Sequence, residues 1–311
     1  MTRVAVVATG VIGASWTALF LARGLDVVAT DPSSDAEDRL REAVAAAWPV
    51  LEQIGLAVGA SPDRLTFTSD VRDAVSDADF VQENGPERED LKRELFQMLD
   101  THTPPEAVIA SSSSFMPPSR IQVGCPRHPS RVLVGHPFNP PHLIPLVEVV
   151  GGEQTADRAI EQAMAFYRQV GKRPIHVRQE LPGHIANRLQ AALWREAYAL
   201  VERGAASVAD IDTAIAHGPG LRWALLGPFL NKHLSGGAGG IAHDLEHLGP
   251  PTEKIWESLG TPEMTPELVA RIIGGVDEEL AGRDLAAIVA ERDRLLLQLL
   301  AAKENAKDDL P

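Results

Sequence analysis

Short apolar runs alternate with amphipathic stretches along the first 180 residues. Such runs are typical of parallel strands buried on both faces, and apolar residues at helical spacing are typical of the helices that cover them. The predicted strands are Val4–Val7, Val27–Ala29, Leu65–Thr68, Phe80–Glu83, Val108–Ala110, Val132–Val134, Leu146–Val150 and Pro174–Val177. The predicted helices are Ala14–Arg23, Ala36–Gly55, Val71–Ser76, Glu87–Leu99 and Ala156–Val170. This alternation predicts a doubly wound α/β domain over residues 1–180.

The pattern changes near Leu181, and from there to Ala302 it is helical without strand-like runs. The predicted helices are His184–Arg203, Val208–His217, Leu221–Leu234, Ile241–Leu248, two that open at Pro262 and Pro266, and Leu285–Lys303. The second half of the chain is therefore predicted to be an all-α domain over residues 181–311.

The beginning of the chain has the order of elements found in a Rossmann-type dinucleotide site. A buried strand leads through a turn of small residues into a helix, and a second strand ends at an acid. In this arrangement the turn and the helix N-terminus bring backbone N–H groups against a pyrophosphate, and the acid binds the adenosine ribose hydroxyls. The predicted cofactor contacts are Ala8, Gly10, Val11, Ile12, Gly13 and Asp31.

Two positions of this motif carry further information. Ala8 stands where the motif has its first glycine, and we interpret this as a turn that accepts alanine at some cost in cofactor affinity. Asp31 would repel a 2′-phosphate, and the following residues 32–35 contain no Arg to bind one. The predicted cofactor is therefore NAD rather than NADP.

Composition narrows the range of partners. The net charge of −14 over 311 residues argues against nucleic acid and against anionic membrane surfaces. The single cysteine, Cys125, excludes an internal disulfide and suits a reducing cytoplasm. Apolar runs are too short to span a bilayer, and Met1–Arg3 leads directly into a strand, so we expect no signal peptide. We therefore expect a cytoplasmic protein with a small-molecule substrate.

Polar residues in four segments have the chemistry of an alcohol dehydrogenase. The segments are Ala110–Ser114, Gly135–Pro140, Leu146–Glu148 and Pro182–Arg188. A base must take the hydroxyl proton as hydride leaves, and a neutral histidine suits this role near neutral pH. A carboxylate fixes the histidine tautomer, while a hydroxyl and an amide can bind the substrate oxygen.

The block His136–Pro140, with Glu148 twelve residues beyond the histidine, and the segment Pro182–Arg188 resemble the L-3-hydroxyacyl-CoA dehydrogenase family. The resemblance covers essentially the whole chain. It implies that His136 is the acid/base, that Glu148 is its partner, and that Ser114 binds the substrate hydroxyl.

The same resemblance implies further contacts. Asn187 would bind the reacting oxygen or carbonyl, Glu87 and Lys92 would contact NAD, and Asn139 would lie near the nicotinamide. It also implies that the helical domain forms most of a homodimer interface.

Two features favour the branch of this family that does not use CoA. Residues 43–63 contain no Lys or Arg for the CoA phosphates, and Gly218–Trp223 resembles a segment of the gulonate dehydrogenase and carnitine dehydrogenase branch. Arg222 is a candidate for binding a substrate carboxylate, with Trp223 beside it, although a salt bridge within the domain is an equal alternative. The choice between a polyhydroxy acid and a quaternary ammonium acid stays open.

The leading prediction is thus an NAD-dependent dehydrogenase that interconverts a small 3-hydroxy acid and its 3-oxo acid. One alternative is a true 3-hydroxyacyl-CoA dehydrogenase or a ketoreductase. Another is an NAD-binding structural protein without catalysis, as in lambda-crystallin, which Ala8 favours and the intact catalytic residues oppose. We expect no metal, because His243–His247 matches a zinc pattern too short to be specific.

Overall fold

The structure is a computed structural model, and it describes residues 2–307 and 310. The chain divides into two compact units, Met1–Arg188 and Leu189–Pro311. The domain boundary at residue 180 stays a prediction.

The first unit is built on a sheet of eight strands within the described residues. Their order is β3-β2-β1-β4-β5-β6-β7-β8. The strands are β1 (Arg3–Val7), β2 (Asp26–Thr30), β3 (Leu65–Thr68), β4 (Phe80–Glu83), β5 (Val108–Ser111), β6 (Val132–Pro137), β7 (Leu146–Gly151) and β8 (Arg173–Val177).

Helices cover both faces of this sheet. They are α1 (Val11–Ala22), α2 (Ala36–Ile54), α3 (Val71–Val75), α4 (Glu89–His102), α5 (Pro118–Gln122) and α6 (Asp157–Gln169). Alternate residues of β1 enter two different cores. Val4 and Val6 pack with side chains of α1, α2 and α6, whereas Ala5 and Val7 pack with those of α3, α4 and α5. The predicted doubly wound α/β fold is confirmed.

One strand pair breaks the parallel arrangement of the sheet. Strands β1 to β6 pair in parallel, but β6 and β7 are antiparallel. In their register His136 lies directly opposite Glu148. Since cross-strand neighbours share one face of a sheet, this register brings the two side chains together.

The remaining helices are α7 (Ala186–Glu202), which contains the boundary between the units, α8 (Val208–Ala216), α9 (Pro219–Leu225), α10 (Pro228–Ser235), α11 (Gly240–Ser258), α12 (Pro266–Leu280) and α13 (Leu285–Asn305). Within the described part of the second unit there is no strand, so the all-α prediction for this region is confirmed.

Several predicted helix boundaries were wrong. Helix α1 begins at Val11 rather than Ala14, because Gly10 is its N-cap. The single helix predicted over 221–234 is two helices, since Gly227 is extended before Pro228. Helix α11 does not end at Leu248 but continues through Pro250 and Pro251. A proline inside a helix removes an N–H donor and crowds the carbonyl of the preceding turn, and this helix continues in spite of both effects.

Candidate active site

The turn between β1 and α1 holds Ala8 in a left-handed conformation, with φ of +66°. Its N–H donates to the Thr30 carbonyl (2.8 Å). A Cβ at Gly13 would lie 2.0 Å from the Ala8 carbonyl oxygen, so α1 approaches the turn as closely as glycine allows. The alanine conformation is costly and is held by the packing around it.

The same turn leaves room for an anion at the end of α1. A Cβ at Gly10 would meet no atom within 4 Å, and no side chain caps the helix. Val11 is 74% exposed. Uncapped N–H groups at a helix N-terminus suit a pyrophosphate, so the residues present fit NAD.

Asp31 is oriented by the turn beside it. Its Oδ2 accepts hydrogen bonds from the Thr9 N–H (2.9 Å) and from the Thr9 hydroxyl (3.3 Å), and its Oδ1 accepts from the Ser33 N–H (3.0 Å). The carboxylate is therefore fixed at the end of β2. Its contact with the ribose stays a prediction.

We expect Ala8→Gly to stabilise the protein and to tighten NAD binding. Relief of the left-handed strain is worth about 1–2 kcal/mol, offset by about 0.4–1 kcal/mol of extra unfolded-state entropy. Denaturant unfolding and NAD titration measure the two effects. Ala281, also left-handed with φ of +47° but in the second unit, provides the matched control. Ala281→Gly should change stability alone, and weaker NAD binding by Ala8→Gly would show instead that the Ala8 methyl is a favourable contact.

His136 and Glu148 form a buried pair on β6 and β7. The distance from His136 Nδ1 to Glu148 Oε2 is 2.9 Å, and the two residues are 4% and 0% exposed. Since an ionised carboxylate can only accept, Nδ1 carries the hydrogen and the lone pair of Nε2 can accept a hydrogen bond or a proton.

Glu148 is stabilised as an anion by the start of α7. Its Oε1 accepts from the N–H groups of Ile185 (2.8 Å) and Ala186 (2.9 Å). Burial raises the pKa of Glu148, but the hydrogen bonds from His136 and from these two N–H groups outweigh burial and lower its pKa overall.

Ser114 lies on the other side of the His136 ring. Its hydroxyl donates to His136 Nε2 over 3.1 Å. The exposed side chain of Glu87 holds residues 112–114, which we call the serine loop, in place. Glu87 Oε1 accepts from the Ser114 N–H (2.5 Å) and Oε2 accepts from the Ser113 hydroxyl (2.9 Å). The structure thus brings Ser114, His136, Glu148 and Glu87 together, although contact of Glu87 with NAD stays a prediction.

Lys92 has a partner that the sequence did not indicate. It is 1% exposed, and its Nζ donates to Glu83 Oε1 (2.8 Å), Glu83 Oε2 (2.9 Å) and the Gly85 carbonyl (3.1 Å). Glu83 also accepts from the Ser111 hydroxyl (2.6 Å) and the Gly85 N–H (2.5 Å). This buried network supports the start of the serine loop, and direct contact of Lys92 with NAD stays a prediction.

The loop between β6 and β7 carries Asn139, which is exposed. Two side chains hold this loop. The Ser15 hydroxyl of α1 accepts from the His142 N–H (2.9 Å), and Lys172 Nζ donates to the carbonyls of Pro141 and Ile144. Burial, together with repulsion by Arg23, lowers the pKa of Lys172 to about 7. The role of Asn139 at the nicotinamide stays a prediction.

Three other candidates lie elsewhere in the chain. Asn187 follows Ala186 in the first turn of α7 and is half-buried. Arg222 and Trp223 are on α9 in the second unit, and both are exposed. Their contacts with substrate stay predictions.

Sequence reasoning missed Glu83 and Lys172. Lys92 occupies the buried stripe of α4 together with Phe96 and Leu99. A lysine on an apolar stripe requires an acidic partner, and this signal was available in the sequence. No comparable signal marks Lys172, because its partners are backbone carbonyls.

Residues 2–307 and 310 contain no helix with the length and apolarity of a membrane span. Over these same ranges, no group of three or more His, Cys, Asp or Glu side chains is placed to hold a metal ion.

Family models match both parts of the chain. The 3-hydroxyacyl-CoA dehydrogenase NAD binding domain matches residues 3–181, and the 3-hydroxyacyl-CoA dehydrogenase C-terminal domain matches residues 183–263. The chain belongs to the 3-hydroxyacyl-CoA dehydrogenase family. The predicted cofactor, NAD, and the predicted NAD-dependent dehydrogenase activity on a 3-hydroxy acid are confirmed.

Relatives of this family member match over nearly their full length. The L-carnitine dehydrogenase of Streptomyces coelicolor is 55% identical over 300 residues, which cover 96% of this chain and 94% of that protein. The L-carnitine dehydrogenase of Pseudomonas putida is 47% identical over 303 residues, covering 97% and 94%.

Two solved structures show the same fold. One is 5-formyl-3-hydroxy-2-methylpyridine 4-carboxylic acid 5-dehydrogenase, an NAD⁺-dependent dismutase, with a TM-score of 0.84 and 29% identity over 98% of this chain and 99% of that one. The other is 3-hydroxybutyryl-CoA dehydrogenase from Escherichia coli, with a TM-score of 0.65 and 29% identity over 75% and 49%.

Proposed function

We propose that this protein oxidises the C3 hydroxyl of L-carnitine with NAD. The observation that carries the proposal is the 55% identity with an L-carnitine dehydrogenase over 96% of the chain. L-Carnitine is a 3-hydroxy acid with a free carboxylate and a quaternary ammonium group, so it belongs to the substrate class predicted from the sequence.

The proposed chemistry uses the Ser114–His136–Glu148 chain of hydrogen bonds. His136 Nε2 takes the hydroxyl proton, and Glu148 stabilises the imidazolium that forms. Ser114, whose hydroxyl already lies 3.1 Å from Nε2, binds the substrate oxygen. The residues of the turn 8–13 would hold NAD, which would supply the acceptor for the hydride that leaves C3. We propose that Asn187 donates its amide to the same oxygen, where negative charge develops.

The charge of the chain supports a substrate without CoA. Residues 43–63 form the second half of α2 and the loop after it, and they contain no Lys or Arg. CoA phosphates are usually bound by such cations. We propose that Arg222 instead binds the carboxylate of a small acid, with Trp223 as a neighbouring contact.

A substrate panel tests this proposal. NADH formation is measured with L-carnitine, D-carnitine, 3-hydroxybutyrate, L-gulonate and 3-hydroxybutyryl-CoA at equal concentrations. We expect the highest kcat/KM with L-carnitine and a much lower value with 3-hydroxybutyrate, which lacks the ammonium group. A higher kcat/KM with any other compound of the panel than with L-carnitine would contradict the proposal.

A variant separates the carboxylate contact from the rest. Arg222→Met keeps an unbranched stem of similar length and removes the charged guanidinium group. Loss of a charge-assisted pair of about 1.5–3 kcal/mol should raise KM for the acid, with little effect on NAD. An unchanged KM would show that Arg222 does not bind the carboxylate.

We also propose a cytoplasmic homodimer. A single buried cysteine suits the cytoplasm. The second unit leaves large apolar side chains exposed, including Leu189, Trp194, Leu221, Trp223, Phe229, Leu234, Trp256, Ile273, Leu285 and Leu295. Exposed apolar surface of this kind is typical of protein interfaces. Sedimentation analysis should give twice the monomer mass, and a monomer at micromolar concentration would contradict the dimer.

A further inference from the structure

His184 is a second buried histidine beside His136. It is 1% exposed, and the centroids of the two rings are 5.2 Å apart. Its φ is +50°, following Gly183 at +75°, and its N–H closes the turn onto the Leu181 carbonyl (2.9 Å). A non-glycine residue in this conformation is strained and persists where its surroundings hold it.

The hydrogen bonds of His184 define its protonation state. Its Nε2 lies 3.1 Å from the Ser113 carbonyl, which can only accept, so Nε2 carries the hydrogen. Its Nδ1 is buried and has no hydrogen-bond partner among residues 2–307 and 310. A neutral ring fits this environment, whereas a protonated ring would bury an unpaired N–H.

The groups around the ring agree with this assignment. Burial lowers the pKa of His184, and repulsion by His136 on β6 lowers it further. The Ser113 carbonyl, Glu148 on β7 and Glu87 after β4 act in the opposite direction without reversing the shift.

His184 also completes a cycle of hydrogen bonds and peptide links around His136, the candidate base. The cycle begins at His136 Nε2, which accepts a hydrogen bond from Ser114. Ser114 is joined by its peptide bond to the Ser113 carbonyl, and this carbonyl accepts a hydrogen bond from His184. The next residue, Ile185, donates its N–H to Glu148, whose other oxygen returns to His136 Nδ1. Both hydrogen-bond partners of His136 are thus linked through His184.

We propose that His184 is a positioning residue, which holds the serine loop against His136. It must also stay uncharged for His136 to accept a proton. The proposal rests on the proposed role of His136 as the base. Protonation of His184 would place a second positive charge beside the imidazolium that forms in the reaction. The wild-type rate should therefore fall at low pH with a slope steeper than one protonation gives.

Two variants separate the positioning role of His184 from the requirement that its side chain stay uncharged. His184→Gln keeps an amide donor and cannot titrate, whereas His184→Phe keeps a ring and has no donor. We expect His184→Gln to retain the plateau kcat within about twofold, with an acid limb that is shallower and displaced to lower pH. His184→Phe should lose about three- to tenfold in plateau kcat through the lost hydrogen bond, with KM and NAD affinity little changed.

The pH dependence of protein stability tests the charge state of His184 without any substrate. Because the pKa of His184 is lowered on folding, the unfolded chain binds the extra proton, and wild-type stability should fall as pH drops below about 6.5. Denaturant midpoints of both variants should lose part of this dependence. The exposed His176, changed to Gln, is the matched control and should retain it.

The outcomes are distinct. A wild-type plateau and acid limb in His184→Gln overturn the charge requirement. A wild-type plateau in His184→Phe overturns the holding role. If His184→Phe does not fold, a His184→Gln plateau reduced about three- to tenfold from wild type overturns the holding role. A wild-type enzyme that oxidises another 3-hydroxy acid instead of L-carnitine overturns only the substrate proposal, and the same variants are then measured with that acid.

Discussion

Replacing His136 with Asn should lower the rate of alcohol oxidation by about 10²–10⁴-fold, which is the usual contribution of a general base. Asn keeps an amide N–H that can donate to Glu148 but has no group that accepts a proton. Because His136 lies outside the turn of residues 8–13, NAD affinity should change little. Steady-state kcat/KM for oxidation of the 3-hydroxy acid and titration with NAD measure the two quantities.

Glu148→Gln tests the same pair from its other side. The Gln oxygen would accept from Ile185 and Ala186, which leaves its NH₂ group facing His136 Nδ1. His136 would then carry its hydrogen on Nε2, the wrong tautomer for a base, so the rate should fall although the side chain is nearly isosteric. The exposed His176, changed to Asn, controls for loss of a histidine at the surface. Near-normal turnover in His136→Asn would contradict the assignment.

The pairing of His136 with Glu148 shows what the sequence contained. Apolar runs predicted both strands, and the family resemblance predicted the pair. The twelve-residue spacing between His136 and Glu148 did not by itself explain why they are in contact. The explanation is the antiparallel register of β6 and β7, which places the two residues opposite each other. Hydrophobic periodicity specifies which face a residue occupies and does not specify the neighbouring strand.

Helix boundaries in the second unit were less predictable. Gly227–Pro228 divides a predicted helix, whereas Pro250 and Pro251 do not end one. The local sequence carries the same type of signal in both places. Whether a proline ends a helix depends on the conformation of the residue before it, and tertiary packing selects that conformation.

Glu87 and Lys92 show a different limit. Both were predicted as NAD contacts from the same stretch of sequence, but the structure gives them different environments. Glu87 precedes α4 and is exposed, whereas Lys92 lies on the buried face of that helix. A family resemblance indicates which residues correspond to known cofactor contacts. Whether such a residue is buried depends on the packing of this chain. Lys92 therefore supports a test that distinguishes the two roles.

Lys92→Met should destabilise the protein by about 3–5 kcal/mol, because it leaves the Glu83 carboxylate buried without its cation. Both residues are almost fully buried, and Lys92 satisfies both carboxylate oxygens. Denaturant unfolding of the wild type and the variant measures the change. The double variant Glu83→Gln with Lys92→Met should recover part of the loss, since it removes the unpaired charge as well as the cation.

The position of this network makes the prediction a test of function too. Arg88→Met breaks an exposed pair with Asp90 in the same segment, and we expect no measurable loss of stability from it. If Lys92 acts through Glu83, Lys92→Met loses stability. The double variant then binds NAD nearly as the wild type does, because the neutral side chain of Glu83→Gln again holds Ser111 and the serine loop after it. If Lys92 is instead a cofactor contact, the single and double variants share the same loss of NAD affinity, and their stability remains close to that of the wild type. That result would contradict the structural role and restore the contact that the family resemblance implies.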